Sequence, residues 1–404
     1  MMTKQNLLTE NEKAIVPLFR QAFRPLFLFG AFFSVIAILL WGLTISGHIN
    51  NLNFVGNQLF WHSHEMIFGF VTAIVIGFLL TAVQNWTGQR APHGRTLIFI
   101  VMLWLMGRLA MLFGADLSIW LVIGIDLSFL PVCAYLLAKP IVRAKQTKNL
   151  FFIPVLLLLT ICNAFMYIGL MVERPDIQQT GSLSAVLLIT LLMTVIGGRV
   201  IPMFTANGTQ TSKVNNILWL DISALISVWL LFALHFFMLT SFLPSSILSV
   251  LFAISAILVF IRGFRWKIWI TLRVPLLWSL HIGYWFIPLG LMMFSAHYAG
   301  LDIPYSVALH ALTAGAMGSM ILSMMSRVSL GHSGRSLTPK RLMSLAFMLI
   351  IVVGFIRTLL IWLLPAQLSL WLWVSILAWA AAYTLYTIIY FPVLTTPRPD
   401  GRPG

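Results

Sequence analysis

The sequence predicts an all-α, polytopic membrane protein of about twelve transmembrane helices, and three observations carry that reading. The 404 residues are 60% hydrophobic and only 9% charged, against roughly 25% charged in a soluble globular domain. The apolar residues fall into twelve runs, each close to the roughly 20 residues that a helix needs to cross a hydrocarbon core about 30 Å thick. Lys and Arg collect in alternate loops, which is how a polytopic chain marks its cytoplasmic side.

The runs follow in order. A basic arm, residues 1–25, carries Lys4, Lys13, Arg20 and Arg24 and leads into the first run, 26–47. That run is too long for a removed signal peptide and lacks the small-residue cleavage site of one. The second, 63–83, begins inside WHSHEMIFGF; the third, 96–114, and the fourth, 117–138, contain Arg108 and Asp126. Runs five and six span 150–172 and 183–204. Cys133 and Cys162, in runs four and five, read as small buried hydrophobes. Run seven, 217–238, carries His235; run eight is 242–262; run nine, 274–295, carries His281. Run ten, 305–328, carries His310, run eleven, 342–362, carries Arg357, and run twelve, 368–391, leads into a tail at 393–404. The chain 1–404 reads as a single integral-membrane domain.

Orientation follows from the cations. Basic residues fall in the arm, at Arg90 and Arg95, from Lys139 to Lys148, at Lys213, from Arg262 to Arg273, from Arg335 to Arg341, and in the tail. The intervening loops hold Arg174. Both termini are therefore expected on the cytoplasmic side. The net charge of +15 is a topology signal spread over short segments, so a nucleic-acid-binding domain, whose cations gather on one face, is not expected.

A repeat is visible at three inner helix ends, TAVQNWTGQR (81–90), IPMFTANGTQ (201–210) and RVSLGHSGRS (327–336). Gly88, Gly208 and Gly334 stand 120 and 126 residues apart. Either the chain contains a three-fold repeat of four helices, or Gly-, Asn- and Ser-rich ends recur because they suit helix C-caps.

Candidate functional residues are the polar ones that an apolar run has to tolerate. An ionisable side chain at mid-membrane costs about 2.5–3.5 kcal/mol even on insertion scales. His62, His64, His235, His281 and His310 lie on runs two, seven, nine and ten or at their mouths. Each is either a helix–helix hydrogen bond or a ligand to a shared cofactor, since imidazole suits haem iron, copper and zinc. His62 and His64 point about 200° apart on a regular helix, so they should face different neighbours. Glu65, three residues after His62, is placed to orient that ring. HSHE is not the HExxH of zinc proteases. Arg108 and Arg357 either snorkel or bind the carboxylates of a haem. Arg199 and Arg327 read as snorkelling or supporting groups at helix ends, and Asp126 either pairs internally or couples ion movement.

The segments FRPLFL (23–28), WHSHEMIFGF (61–70), GFLLTAVQNWTG (77–88), GGRVIPMFT (197–205), LHIGY (280–284) and HALTAGAMGSMILSMMSRVSLGHSGR (310–335) resemble the NnrS family over nearly the whole chain. The resemblance implies a bacterial inner-membrane protein that contains haem and copper and serves nitric oxide metabolism and protection from nitrosative stress. It implies no defined turnover. The family motifs cover His62, His64, Glu65, Arg199, His281, His310, Arg327 and His332; His235 and His297 enter on position alone. The twelve-span plan is also similar to the catalytic subunit of haem-copper oxidases. The paired histidines expected on run ten are missing, however, and run six has none, so a binuclear oxidase centre is not expected. Expected partners are the lipid bilayer, nitric oxide or a related small ligand, and a respiratory electron donor. Two other classes stay open: a secondary transporter, and a copper- or haem-handling protein serving a respiratory complex. Transporter sites favour the bilayer midplane, whereas most of these histidines gather toward one face.

Overall fold

The computed structural model describes residues 14–49 and 52–402. Among the described residues there are twelve helices long and apolar enough to cross a membrane, and no strands. They are α1 (Phe23–Ile45), α2 (Gln58–Thr87), α3 (Arg95–Phe113), α4 (Ile119–Arg143), α5 (Thr147–Met171) and α6 (Pro175–Thr209), then α7 (Leu218–Phe236), α8 (Ser245–Ile270), α9 (Pro275–Tyr298), α10 (Tyr305–His332), α11 (Arg341–Leu363) and α12 (Pro365–Thr395).

Several helices extend beyond their apolar runs, for local reasons. α2 starts at Gln58 because the Asn57 side chain accepts hydrogen bonds from the backbone N–H of Leu59 (3.0 Å) and Phe60 (2.8 Å), capping donors that a helix start leaves open. α6 has 35 residues, about 52 Å at 1.5 Å per residue; its first turns are polar, with Asp176, Gln178 and Gln179, and carry the apolar stretch on a stalk. Gly88 ends α2 at φ +67°, and Gly334 sits two residues past α10 at φ +70°, left-handed values that glycine adopts without penalty. Gly208 lies inside α6. The middle helix end of the repeat, 201–210, thus has a different backbone from the other two.

Among the described residues three helices contain a π-helical turn: Glu65–Val71 in α2, Ala311–Met317 in α10 and Ile356–Leu360 in α11. Such turns are rare, widen the helix by about one residue per turn, and recur at functional sites. Here each one adjoins or contains a candidate residue: His64 and Glu65, His310, and Arg357.

The chain packs as two compact units. The first takes in Met1–Gln178, Met325–Thr338 and Tyr383–Gly404, the second Gln179–Met324 and Pro339–Ala382. In the first, Arg24 is fully buried in the opening turn of α1, and its Nη1 donates to the carbonyls of Leu394 (2.6 Å) and Thr396 (2.8 Å) at the end of α12. A guanidinium there satisfies carbonyls that a helix end leaves unpaired. The end of the basic arm is therefore part of the helical packing. In the second unit, Arg262 of α8 pairs with Asp221 of α7 at 2.5 Å and donates to the Thr194 carbonyl of α6 at 2.7 Å, which ties three helices together. α10 and α11 meet at two glycines: a Cβ on Gly354 would lie 2.9 Å from the Gly315 Cα and 2.6 Å from the Phe286 ring.

Candidate functional site

In the first unit, helices α2 to α5 converge on His64. The ring is completely buried, with Nδ1 2.9 Å from Glu65 Oε1 and Nε2 3.0 Å from Asp126 Oδ2 and 2.9 Å from Asn163 Oδ1. Phe60 stacks on it at 5.7 Å and Tyr167 meets it edge-on at 5.3 Å. Arg108 of α3 donates one terminal nitrogen to Glu65 and the other to Asp126. Asp126 Oδ2 also accepts from Asn163 Nδ2 at 2.8 Å and from the Tyr167 hydroxyl at 3.1 Å.

Both ring nitrogens of His64 face acceptor oxygens, the arrangement of a doubly protonated imidazole. His64 and Arg108 then balance Glu65 and Asp126 charge for charge. This balance is what permits four ionisable groups in a dry interior, where an unpaired charge is costly. Glu65 Oε2 and Arg108 Nε have no hydrogen-bond partner among the protein groups, so the cluster retains one open acceptor and one open donor.

The expected divergence of His62 and His64 is present. His62 stacks on Trp41 of α1 with centroids 4.2 Å apart, while His64 turns toward α4 and α5. Helical spacing assigned Glu65 to His62, but its Oε1 engages His64 and Arg108. The physical reason is the π turn that begins at Glu65, which departs from the regular three-residue spacing assumed for the pair.

In the second unit, His310 lies in the second turn of α10. Its Nδ1 donates to the Ser306 carbonyl at 2.6 Å, and its Nε2 accepts from Arg357 Nη2 at 2.6 Å. A carbonyl can only accept, so this ring is the neutral Nδ1–H tautomer. His281, near the start of α9, is fully buried; Nε2 lies 2.9 Å from the Thr205 hydroxyl of α6, and Nδ1 has no hydrogen-bond partner. His235 donates from Nδ1 to the Leu231 carbonyl at 2.8 Å, with Nε2 3.4 Å from the Tyr298 hydroxyl. His297 Nδ1 lies 2.8 Å from the Ile303 carbonyl. Arg199 is exposed and Arg327 half-buried.

Each of these histidines makes its own hydrogen bonds, and Tyr298 borders two of them, with its hydroxyl 3.4 Å from His235 Nε2 and its ring 5.4 Å from that of His297. Among the described residues no group of three or more His, Cys, Asp and Glu side chains is arranged to hold a metal ion. Asn163, Tyr167 and Thr205 complete these surroundings, and the sequence reading had not singled them out. Asn163 and Tyr167 did leave a signal, two polar groups four residues apart and so on one face of an apolar helix.

No curated protein matches the chain. The sequence profile of the family described as NnrS protein matches residues 17–398, a range that includes all twelve helices. The chain therefore belongs to the NnrS protein family.

Proposed function

We propose that this chain acts in the response to nitric oxide at a bacterial inner membrane, as a haem- and copper-binding protein supplied by a respiratory electron donor. Membership of the NnrS family, which is associated with nitric oxide response, supports the biological role. The observation that carries the metal reading is His281. A metal-ligating imidazole has one nitrogen held by a neighbour and the other presented to the metal, and His281 has Nε2 on Thr205 and a buried Nδ1 without a partner.

The other candidates fit less directly. His235 has one nitrogen held by a carbonyl and the other only 3.4 Å from a hydroxyl, so it is the next ligand we assign, followed by His62 beside Trp41. His64 and His310 have both ring nitrogens engaged, and each would have to break a hydrogen bond before coordinating. Arg108 is committed to Glu65 and Asp126, which leaves Arg357 to hold a cofactor carboxylate. A bound haem or copper would supply the coordination position for a diatomic ligand. The protein's own part is to keep His281 neutral, oriented and out of water.

A deletion strain should grow poorly under nitric oxide release and recover with the wild-type gene. His281→Ala, present in the membrane at normal level, should not restore growth, and its copper and iron content should fall. Secondary transport is the second reading, favoured by the buried carboxylate of Asp126. Full protection by His281→Ala, with loss of protection in an equally abundant Asp126→Asn, would replace the metal reading with transport.

A further inference from the structure

We propose that Arg357 and His310 form a binding site for a small monovalent oxyanion. The inference goes beyond the metal reading where the ligand is a free ion, and rests on that reading where the ligand is a cofactor carboxylate.

Helices α2 and α10 match each other. His64 and His310 stand 246 positions apart, and so do Gly69 and Gly315, and Gly88 and Gly334. Each histidine is followed by a seven-residue π segment, Glu65–Val71 in one case and Ala311–Met317 in the other. In each case the next helix then sends an arginine to the neighbourhood of the histidine: Arg108 from α3, which reaches Glu65, and Arg357 from α11, which reaches His310 itself. The arrangements differ in their counter-charges. Arg108 meets two carboxylates, Glu65 and Asp126. The position after His310 is Ala311, and the sequence contains no Asp or Glu at all between Asp302 and Asp400. Helices α10, α11 and α12 are therefore without a carboxylate. Arg357 makes no ion pair among the described residues. Asp302 is exposed in the loop before α10, where its backbone carbonyl accepts from Trp362 Nε1 at 2.5 Å.

A guanidinium remains charged under all protein conditions, and a cation held among apolar helices without a counter-charge is strongly disfavoured. The neutral His310 ring takes one N–H of Arg357 but contributes no negative charge. It fixes the fork, leaving the remaining donors for a planar acceptor, the geometry in which arginine binds carboxylates and oxyanions most strongly. Arg357 is half-buried. The close approach of α10 and α11 at Gly315 and Gly354 sets the two side chains against each other. The ligand class is thus a planar, singly charged oxyanion or carboxylate, with two sources: a free ion such as nitrite or nitrate, or a carboxylate carried by a bound prosthetic group.

The test uses the full chain in phosphatidylcholine nanodiscs, which exclude anionic lipid. Nitrite, nitrate and acetate are titrated and heat of binding recorded, with sulfate as the divalent control. Protein made in haem-replete cells and protein made without haem form the two arms. Saturable binding in both arms assigns the site to a free ion, and binding only in the haem-free arm assigns it to a prosthetic carboxylate. In either case Arg357→Gln should weaken binding about tenfold or more, and Arg357→Lys should weaken it less. Because a variant can fail to fold, modification of Arg357 by phenylglyoxal is followed by mass spectrometry on wild-type protein, with protection by nitrate expected in the haem-free arm. Wild-type protein that binds none of these ions in either arm, binding unchanged by Arg357→Gln, or modification unaffected by nitrate would overturn the proposal.

Discussion

His64 and Asp126, 62 residues apart in the chain, meet at 3.0 Å between Nε2 and Oδ2 with neither side chain reached by solvent. Their contact locks α2 to α4, and the shared partner Arg108 brings in α3. A cluster of this kind is balanced only as a whole. Replacing Arg108 by Met removes one positive charge and leaves His64 alone to balance the carboxylates of Glu65 and Asp126. The expected loss is about 3–5 kcal/mol, the cost of breaking one side of a buried ion pair. Thermal unfolding of the purified variant, followed by size-exclusion chromatography, should show a lower midpoint. A midpoint equal to wild type would mean that the cluster is solvated and that the charges are not mutually dependent.

Close approach of α10 and α11 predicts a second effect. A side chain on Gly354 collides with the Phe286 ring and with the Gly315 backbone, neither of which is a flexible chain end. Gly354→Val should cost about 1–3 kcal/mol through overpacking and should separate His310 from Arg357. A cysteine pair at Ala311 and Thr358, crosslinked with a short reagent, reports the spacing. Crosslinking as efficient in Gly354→Val as with glycine at 354 would count against this packing.

The spans were legible in the sequence because hydrocarbon admits few polar groups and backbone hydrogen bonds must close within the helix. The partners were not, since which helices face each other is decided by side-chain packing across distant segments. Asp126 was legible as an anomaly in an apolar run, but its contact with His64 was hidden by the 62 intervening residues. Glu65 was assigned by regular helical spacing, and the π turn at that residue removed the basis of the assignment. The wide turn at His310 was equally invisible, because ALTAGAM (311–317) is small and apolar and carries no mark of it. The stretch between Asp302 and Asp400 contains no acid, a fact whose meaning required the position of Arg357.

Orientation gives a third prediction. With basic loops inside, reporter fusions at Lys145 should read cytoplasmic, and fusions at Thr240 and Gly300 should read external. An external signal at Lys145, or an internal one at either of the others, would overturn the topology read from the basic loops.

Thr205 supplies the sharpest separation between a structural and a metal-binding His281. Thr205→Val keeps the shape of the side chain and deletes the hydroxyl that lies 2.9 Å from Nε2. If His281 serves only to join α6 and α9, the change leaves a buried imidazole without a partner on either nitrogen. The expected cost is then about 1–3 kcal/mol, with metal content unaltered. If Nδ1 holds a metal, the hydroxyl is the group that orients the ring, and losing such a partner lowers metal affinity about 10–100-fold. Thr205→Ser retains the hydroxyl and should behave as wild type in both respects. Copper and iron are measured on equal amounts of folded protein across a chelator series, beside the thermal midpoint. The metal reading expects Thr205→Val to lose metal at lower chelator concentration than wild type, and Thr205→Ser to follow wild type. Identical metal retention in all three proteins, with a lower midpoint in Thr205→Val alone, would assign His281 to helix packing and remove it from the proposed metal ligands.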